Sequence, residues 1–224
     1  MSASNYIYTL IKFTNYVDAV KKGILYMNSL EWFENTSDQE IGDENEALDY
    51  YLQSNKIEVE IDGEKIDSNE MTSPVRIRKS KYVNIFSMYA ITYEYLANNN
   101  LDFDISEKIK EHKEWGEYAV AILNGPEFLK RVKKTVEKHP IVDFHDKGAG
   151  LVDYVNKEQY HGETGAFKKF DEYSHQNEYR IALETNKKVR NENGAFRLKI
   201  GDISDIIKVI ATKELENLIE IKTK

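Results

Sequence analysis

Alternating apolar and polar positions run through most of this 224-residue chain and predict many short strands and few helices. The first 33 residues predict a β-α-β-α unit, with strands over residues 6–13 and 24–28 on either side of a helix over 15–22. Gly23 stands where a glycine commonly ends a helix. Asp62-Gly63, between two alternating segments, predicts a hairpin.

The second half of the chain predicts a central strand over residues 117–123 and a helix over 126–139. The helix begins with Pro126 at its first turn, and its apolar stripe is expected to pack on Val120 and Ile122. This stripe is formed by Phe128, Leu129, Val132 and Val136. A capping box predicts a further helix over 104–115.

Strands starting at Gln176 and over residues 195–200 are expected to form a C-terminal hairpin. The chain has neither an internal repeat nor a linker. We therefore predict a single α+β domain over residues 1–224, with a mixed, largely antiparallel sheet flanked by helices. The sheet could be undivided or split into two.

The composition of the chain argues against several classes of partner and site. Hydrophobic residues make up 41% of the chain, which is enough for a core, and the net charge of −8 argues against nucleic acid as a partner. The absence of cysteine excludes disulfides and thiolate metal sites. Because we find neither a signal-peptide pattern nor a run of eighteen apolar residues, we expect a cytoplasmic protein without a membrane partner.

Charged residues cluster in two segments. Eight carboxylates and no Lys or Arg lie in residues 31–49, which predicts an exposed, mobile loop over 38–46. A divalent-cation site is the alternative, but the spacing differs from a calcium loop, and the histidines lack zinc-site spacing, so we predict no metal. Four cations lie in residues 76–81 and suit either a strand edge facing the acidic segment or a phosphate site. They are Arg76, Arg78, Lys79 and Lys81.

Gln176 and Glu178 lie two apart at the mouth of an alternating strand and should project from one face. That geometry can serve a catalytic carboxylate. It can equally be a strand end where Glu178 or Arg180 meets a structural partner. The chain lacks the sequence patterns of serine hydrolases, P-loop kinases and dinucleotide-binding folds, which disfavours those classes.

Several short segments together resemble DUF2971-type proteins of bacteria and phages. The likeness spans most of the chain and implies a family more readily than an activity, because members are mostly uncharacterised. The segments are residues 10–13, 23–30, 42–46, 85–87 and 176–181.

A second likeness is to ADP-ribosyltransferase-like folds, in which an early strand ends in Arg or His, a middle strand carries Ser and a late strand carries Gln-x-Glu. It implies NAD as the ligand, with Ser87 shaping the nicotinamide-ribose site, Gln176 orienting the acceptor and Glu178 stabilising the developing oxocarbenium charge. Lys12 stands where Arg or His is usual, and its point charge cannot reproduce a bidentate guanidinium. This departure is compatible with a scaffold that binds a nucleotide without turning it over.

Two functions follow from the likeness. The first is an enzyme with a cleft for NAD or a related nucleotide, either an ADP-ribosyltransferase or a NAD glycohydrolase, with Glu178 and Gln176 catalytic. Lys12, Ser87, Arg180, Arg76 and Arg78 would then bind the ligand. The alternative is a non-catalytic, phage-encoded anti-defence protein that sequesters a nucleotide signal or blocks a host defence protein.

Overall fold

The described part of the chain contains three α-helices, fifteen strands and five short 3-10 helices in the computed structural model, which covers residues 7–37, 42–46, 48–66, 71, 73–78, 82–94 and 115–217. The predicted helix over 104–115 lies, apart from Trp115, outside these residues. The helices are α1 (Val17–Lys21), α2 (Leu30–Asn35) and α3 (Gly125–Val136). The strands are β1 (Ile7–Thr14), β2 (Ile24–Ser29), β3 (Tyr50–Leu52), β4 (Val59–Ile61), β5 (Glu64–Ile66), β6 (Val75–Ile77), β7 (Val83–Thr92), β8 (Tyr118–Ile122), β9 (Asp143–Leu151), β10 (Asp153–Val155), β11 (Gly162–Glu163), β12 (Lys168–Phe170), β13 (Glu178–Glu184), β14 (Phe196–Lys199) and β15 (Ile207–Ala211).

An eight-stranded sheet forms the centre of the molecule, with the order β14-β2-β7-β1-β8-β15 and with β13 pairing to both β7 and β9. The pairings of this sheet are antiparallel. Smaller sheets join β11-β3-β6, β4-β5 and β10-β12, and the last pairing is parallel. The described chain is therefore α+β with a mostly antiparallel sheet, as the residue pattern predicts.

Helix α3 covers one face of the central sheet. Phe128, Val132 and Val136 are buried in the same cluster as Val120 and Ile122, whereas Leu129 is only half-buried. The predicted packing is confirmed, although the helix ends at Val136 and not at residue 139. Its first turn is capped by the Asn124 side chain, which accepts a hydrogen bond from the Glu127 amide. Within the described ranges, no helix is long and apolar enough to cross a membrane.

Two hairpin predictions have opposite outcomes. The β4-β5 hairpin is confirmed, and both turn residues, Asp62 and Gly63, have the positive φ that a type I′ turn requires. The C-terminal hairpin is wrong, because β14 pairs with β2 while β13 lies between β7 and β9. Asn84 fixes this arrangement by donating to the Met27 and Gly194 carbonyls, each at 2.9 Å, which holds the chain before β14 against β2.

Candidate functional site

The central sheet opens between β1 and β2. Both strands pair with the same edge of β7, but the β1 pairing reaches only as far as Tyr89 and the β2 pairing begins at Ile85. Strand β7 continues across the gap, and of the strands that the structure describes only β13 pairs with it there. Lys12 fills part of the gap, since its Nζ donates to the Ser87 carbonyl at 2.8 Å.

A cavity of about 240 Å³ lies at this opening. Residues from β1, β2, α2, β7, β12 and β13 line it, so segments distant in sequence meet there. Six aromatic side chains form much of its wall and offer flat apolar surfaces on which a ring could stack. They are Phe13, Tyr26, Trp32, Phe33, Tyr89 and Trp115.

The polar side of the cavity is built by β7 and β13. In the β7-β13 ladder, Arg180 is paired with Ser87, and Glu178 is paired with Tyr89. The alternate β13 residues Tyr179 and Ile181 belong to the core under α3. Strand alternation therefore directs Glu178, Arg180 and Ser87 to the face opposite α3. The structure brings Lys12, Ser87, Gln176, Glu178 and Arg180 to the wall of one cavity.

Arg180 is the most completely engaged side chain of the site. It is 1% exposed and uses all of its guanidinium nitrogens. Two parallel bonds of 2.7 and 2.9 Å reach Glu46, two bonds of 2.7 and 3.1 Å reach Glu178, and Nη1 also donates to the Ala166 carbonyl at 2.8 Å. Such a fully satisfied fork holds both carboxylates in fixed positions.

Lys169 is the second cation of this cluster. Its Nζ lies 2.6 Å from Gln176 Oε1, 3.1 Å from Glu178 Oε1 and 3.6 Å from Glu46 Oε2. Together with Arg180 it balances the charges of Glu46 and Glu178. We call these four residues the buried quartet, and it carries no net charge when all four are ionised.

Glu178 stays ionised inside the protein. Burial alone would raise its pKa, but the charges of Arg180 and Lys169 outweigh burial and hold that pKa well below its usual value. The Ser87 hydroxyl is near enough to the carboxylate to favour its charged form, although it makes no hydrogen bond of good geometry with any described residue. The Glu178 amide also donates to the Tyr154 hydroxyl at 2.9 Å. A carboxylate in this state can accept hydrogen bonds but cannot donate a proton.

The exposed loop predicted over residues 38–46 is wrong for the part that the structure describes, since residues 38–41 lie outside it. Asp43, Asn45 and Glu46 are buried. Charge density along the chain predicted a solvated loop, but Arg180 and Lys169 supply the compensating cations from distant strands. The acidic segment is therefore an internal part of the site.

Asp43 lies beside the buried quartet and provides a pH test. Burial and the Glu46 charge raise the pKa of Asp43 from its usual 3.8 to about 6. Because the folded-state pKa is the higher one, this residue favours folding most below pH 4, and that contribution is lost as pH rises toward 6. Asp43→Asn keeps an oxygen for the Asn45 amide and should raise the free energy of unfolding by about 1–3 kcal/mol at pH 7. Urea unfolding should show the gain shrinking toward zero at pH 4, and an equal gain at both pH values would contradict the assignment.

Arg76 and Arg78 lie elsewhere. Arg76 is the middle residue of β6 and Arg78 directly follows that strand, and neither residue lines the cavity. Arg78 contacts Glu34 at 2.6 Å and the Glu44 carbonyl at 2.9 Å, while Arg76 lies 3.7 Å from the Glu44 carboxylate. This arrangement matches a basic edge that faces the acidic segment. Lys79 and Lys81 lie outside the described residues.

Glu46 and Lys169 are the site residues that the sequence pattern did not single out. Glu46 was one of eight carboxylates in the acidic segment, and Lys169 is one of two adjacent lysines in a three-residue strand. The aromatic residues on either side of the lysine pair in the sequence, Phe167 and Phe170, were the available signal that Lys169 lies in a buried segment.

The described residues contain no group of three or more His, Asp or Glu side chains placed to hold a metal ion. What the site offers is a charge-balanced carboxylate, one further cation at Lys12, and an aromatic wall. Comparisons of the chain with protein-family models, with curated proteins and with solved structures find no match.

Proposed function

We propose that the cavity between β1 and β2 binds NAD or a related nucleotide, with Glu178 as the key acidic group. The proposal includes an ADP-ribosyltransferase-like arrangement of the sheet and kinship with DUF2971-type proteins. One observation carries it: Lys12, Ser87 and the Gln176–Glu178 pair come from three segments distant in sequence and line one aromatic-walled cavity. Their order along the chain is the order that the likeness requires.

The size of the cavity limits which part of a nucleotide it can enclose. Its volume of about 240 Å³ is below the roughly 300–1,000 Å³ of sites that bury a drug-sized molecule. One ring with its sugar fits, and the rest of a dinucleotide would extend outside. The aromatic side chains would stack on the ring, while Glu178 and the Ser87 hydroxyl would bond to ribose hydroxyls.

Binding without turnover is the second candidate, and the state of Glu178 favours it. Arg180 and Lys169 already neutralise this carboxylate, so less of its charge is available to stabilise a developing oxocarbenium ion. Lys12 adds a positive charge that opposes the cationic nicotinamide of NAD and suits a phosphate-bearing or neutral ligand. A protein that sequesters a nucleotide signal would have these properties.

Intrinsic fluorescence provides a direct test, because both tryptophans of the chain, Trp32 and Trp115, line the cavity. We expect NAD, ADP-ribose or a cyclic dinucleotide to change this fluorescence with saturation. Nicotinamide released from NAD would be followed by chromatography in the same samples. Release supports the enzyme, and saturation without release supports the binder.

Ser87→Ala is the matched variant for this test, since it removes the hydroxyl and leaves the buried quartet intact. It should weaken the binding by about 0.5–1.5 kcal/mol, the usual net value of one hydrogen bond. Arg76→Met, away from the cavity, is the control. If none of the nucleotides changes the fluorescence of the wild-type protein, the proposed function is wrong.

A further inference from the structure

Lys12 has an unusual environment for a lysine. Its side chain lies in the gap between β1 and β2, and its Nζ has the Ser87 carbonyl at 2.8 Å and the Phe86 ring centroid at 4.8 Å as neighbours. Among the described residues, no carboxylate lies within 4.0 Å of this nitrogen to form an ion pair. Lys12 is half-buried, and a cation that lines a cavity without an ion-pair partner among the described residues is a functional candidate.

Lys169 lines the same cavity and provides the contrast. Its ammonium contacts two carboxylates and the Gln176 amide oxygen. Lys12 has no such partner, and burial lowers its pKa to about 8, with the charge of Glu178 acting in the opposite direction. At pH 7 roughly one Lys12 in ten is then neutral, against fewer than about one in a thousand for an ordinary lysine.

A neutral lysine amine is a nucleophile. We infer that Lys12 forms a Schiff base with the aldehyde of a small ligand held against the aromatic wall, such as the open-chain ribose of a nucleotide with a free reducing end. The choice of a nucleotide as the aldehyde source rests on the proposed function. The reactivity of the amine does not, because it follows from the contacts of Lys12 alone.

The reaction balances without an oxidant or a reductant. The Nζ lone pair attacks the carbonyl carbon, the carbonyl π electrons move to oxygen, and that oxygen takes a proton from solvent. Nitrogen loses one proton to solvent, which gives a carbinolamine. The carbinolamine hydroxyl takes a second proton from solvent and leaves as water while the nitrogen lone pair forms the C=N bond, and the last N–H proton passes to solvent. The Ser87 hydroxyl is buried and has no hydrogen-bond partner of good geometry among the described residues, so it can donate to the departing oxygen. Glu178 remains ionised and supplies no proton.

Reductive alkylation of the intact protein tests whether the Lys12 amine is unusually reactive. The protein would be treated at pH 7 with propionaldehyde and sodium cyanoborohydride, and labelled lysines quantified by peptide mass spectrometry. Lys12 should be labelled at least about tenfold faster than Lys130 and Lys65, whose side chains are 77% and 70% exposed. Labelling of Lys12 at the same rate as these residues, or more slowly, would overturn the inference.

The pH profile adds a readout that accessibility alone does not give. Labelling of Lys12 should level off above about pH 8, while labelling of exposed lysines continues to rise. The charged groups that line the cavity around Lys12 are Glu178, Lys169 and Arg180. Glu178→Gln removes the charge that raises the Lys12 pKa, so the plateau should start at lower pH. Lys12→Arg should abolish the fast phase and Lys130→Arg should retain it.

A second arm replaces propionaldehyde with ADP-ribose and, separately, with free ribose. If ADP-ribose forms a reducible adduct on Lys12 at concentrations at least about tenfold below those needed for ribose, the nucleotide is the aldehyde source. If propionaldehyde labels Lys12 rapidly and ADP-ribose has no advantage over ribose, the inferred reactivity of the Lys12 amine is supported. A nucleotide is then not the source of the aldehyde. Fluorescence titration with ADP-ribose would report separately on the proposed function.

Discussion

Replacing Arg180 with methionine is expected to lower the free energy of unfolding by about 3–5 kcal/mol, the cost of breaking a buried ion pair on one side. Methionine fills a similar volume, but Glu46 and Glu178 lose four hydrogen bonds and most of their compensating charge. Lys169 alone cannot balance two carboxylates. Chemical denaturation at pH 7 would measure the loss.

Arg76→Met is the matched control, because its partner Glu44 is 3.7 Å away and 66% exposed. Exposed pairs of this kind contribute less than about 1 kcal/mol. In wild-type protein the depressed pKa of Glu178 adds stability that is present above its unfolded pKa and lost only in strong acid. Without Arg180 that pKa should rise, so the deficit of the variant should shrink as pH falls toward 4. A loss below 1 kcal/mol at pH 7 would show that the quartet is dispensable.

Local patterns in the sequence predicted the local parts of the structure. The β4-β5 hairpin follows from the positive φ that Asp62-Gly63 can adopt, and α3 follows from an apolar stripe beside a capping Asn124. Gly23 is another such position, because its φ of 66° just after α1 suits a glycine. In each case the physical cause lies within a few residues of the element.

Non-local pairings could not be predicted in this way. Glu46 and Arg180 meet across 134 residues, and no spacing rule links an acidic run to a strand so far away. The same reasoning explains the wrong C-terminal hairpin, since the partner of β14 is a strand near the start of the chain. Glu178 was found because strand alternation is local. The strand predicted from Gln176 is wrong at its start, because Gln176 ends a 3-10 helix and Asn177 has a left-handed φ of 40°, so β13 begins at Glu178. That Gln176 and Glu178 lie beside Lys12 and Ser87 depends on the opening between β1 and β2.

Glu178 has two roles in this site, a structural one in the buried quartet and a proposed one toward the ligand, and a double substitution separates them. Glu178→Gln keeps the shape but leaves an extra positive charge beside Arg180 and Lys169, which should cost about 3–5 kcal/mol. Lys169→Met alone leaves an extra negative charge. Together the two changes restore neutrality. The double variant should therefore lose about 1–3 kcal/mol less stability than the sum of the losses of the two single variants.

The nucleotide affinity of the double variant should not recover together with its stability. If Glu178 bonds to a ribose, the double variant regains stability but binds a nucleotide about tenfold or more weakly than wild-type protein, because a bond to a charged group is worth about 1.5–3 kcal/mol. Glu184→Gln, in the same strand but 58% exposed, controls for loss of a carboxylate. Unfolding curves and tryptophan fluorescence titrations would be measured on the same preparations. Should the double variant recover both stability and affinity, Glu178 serves only to balance Arg180 and Lys169, and the ligand must be recognised by Lys12, Ser87 and the aromatic wall.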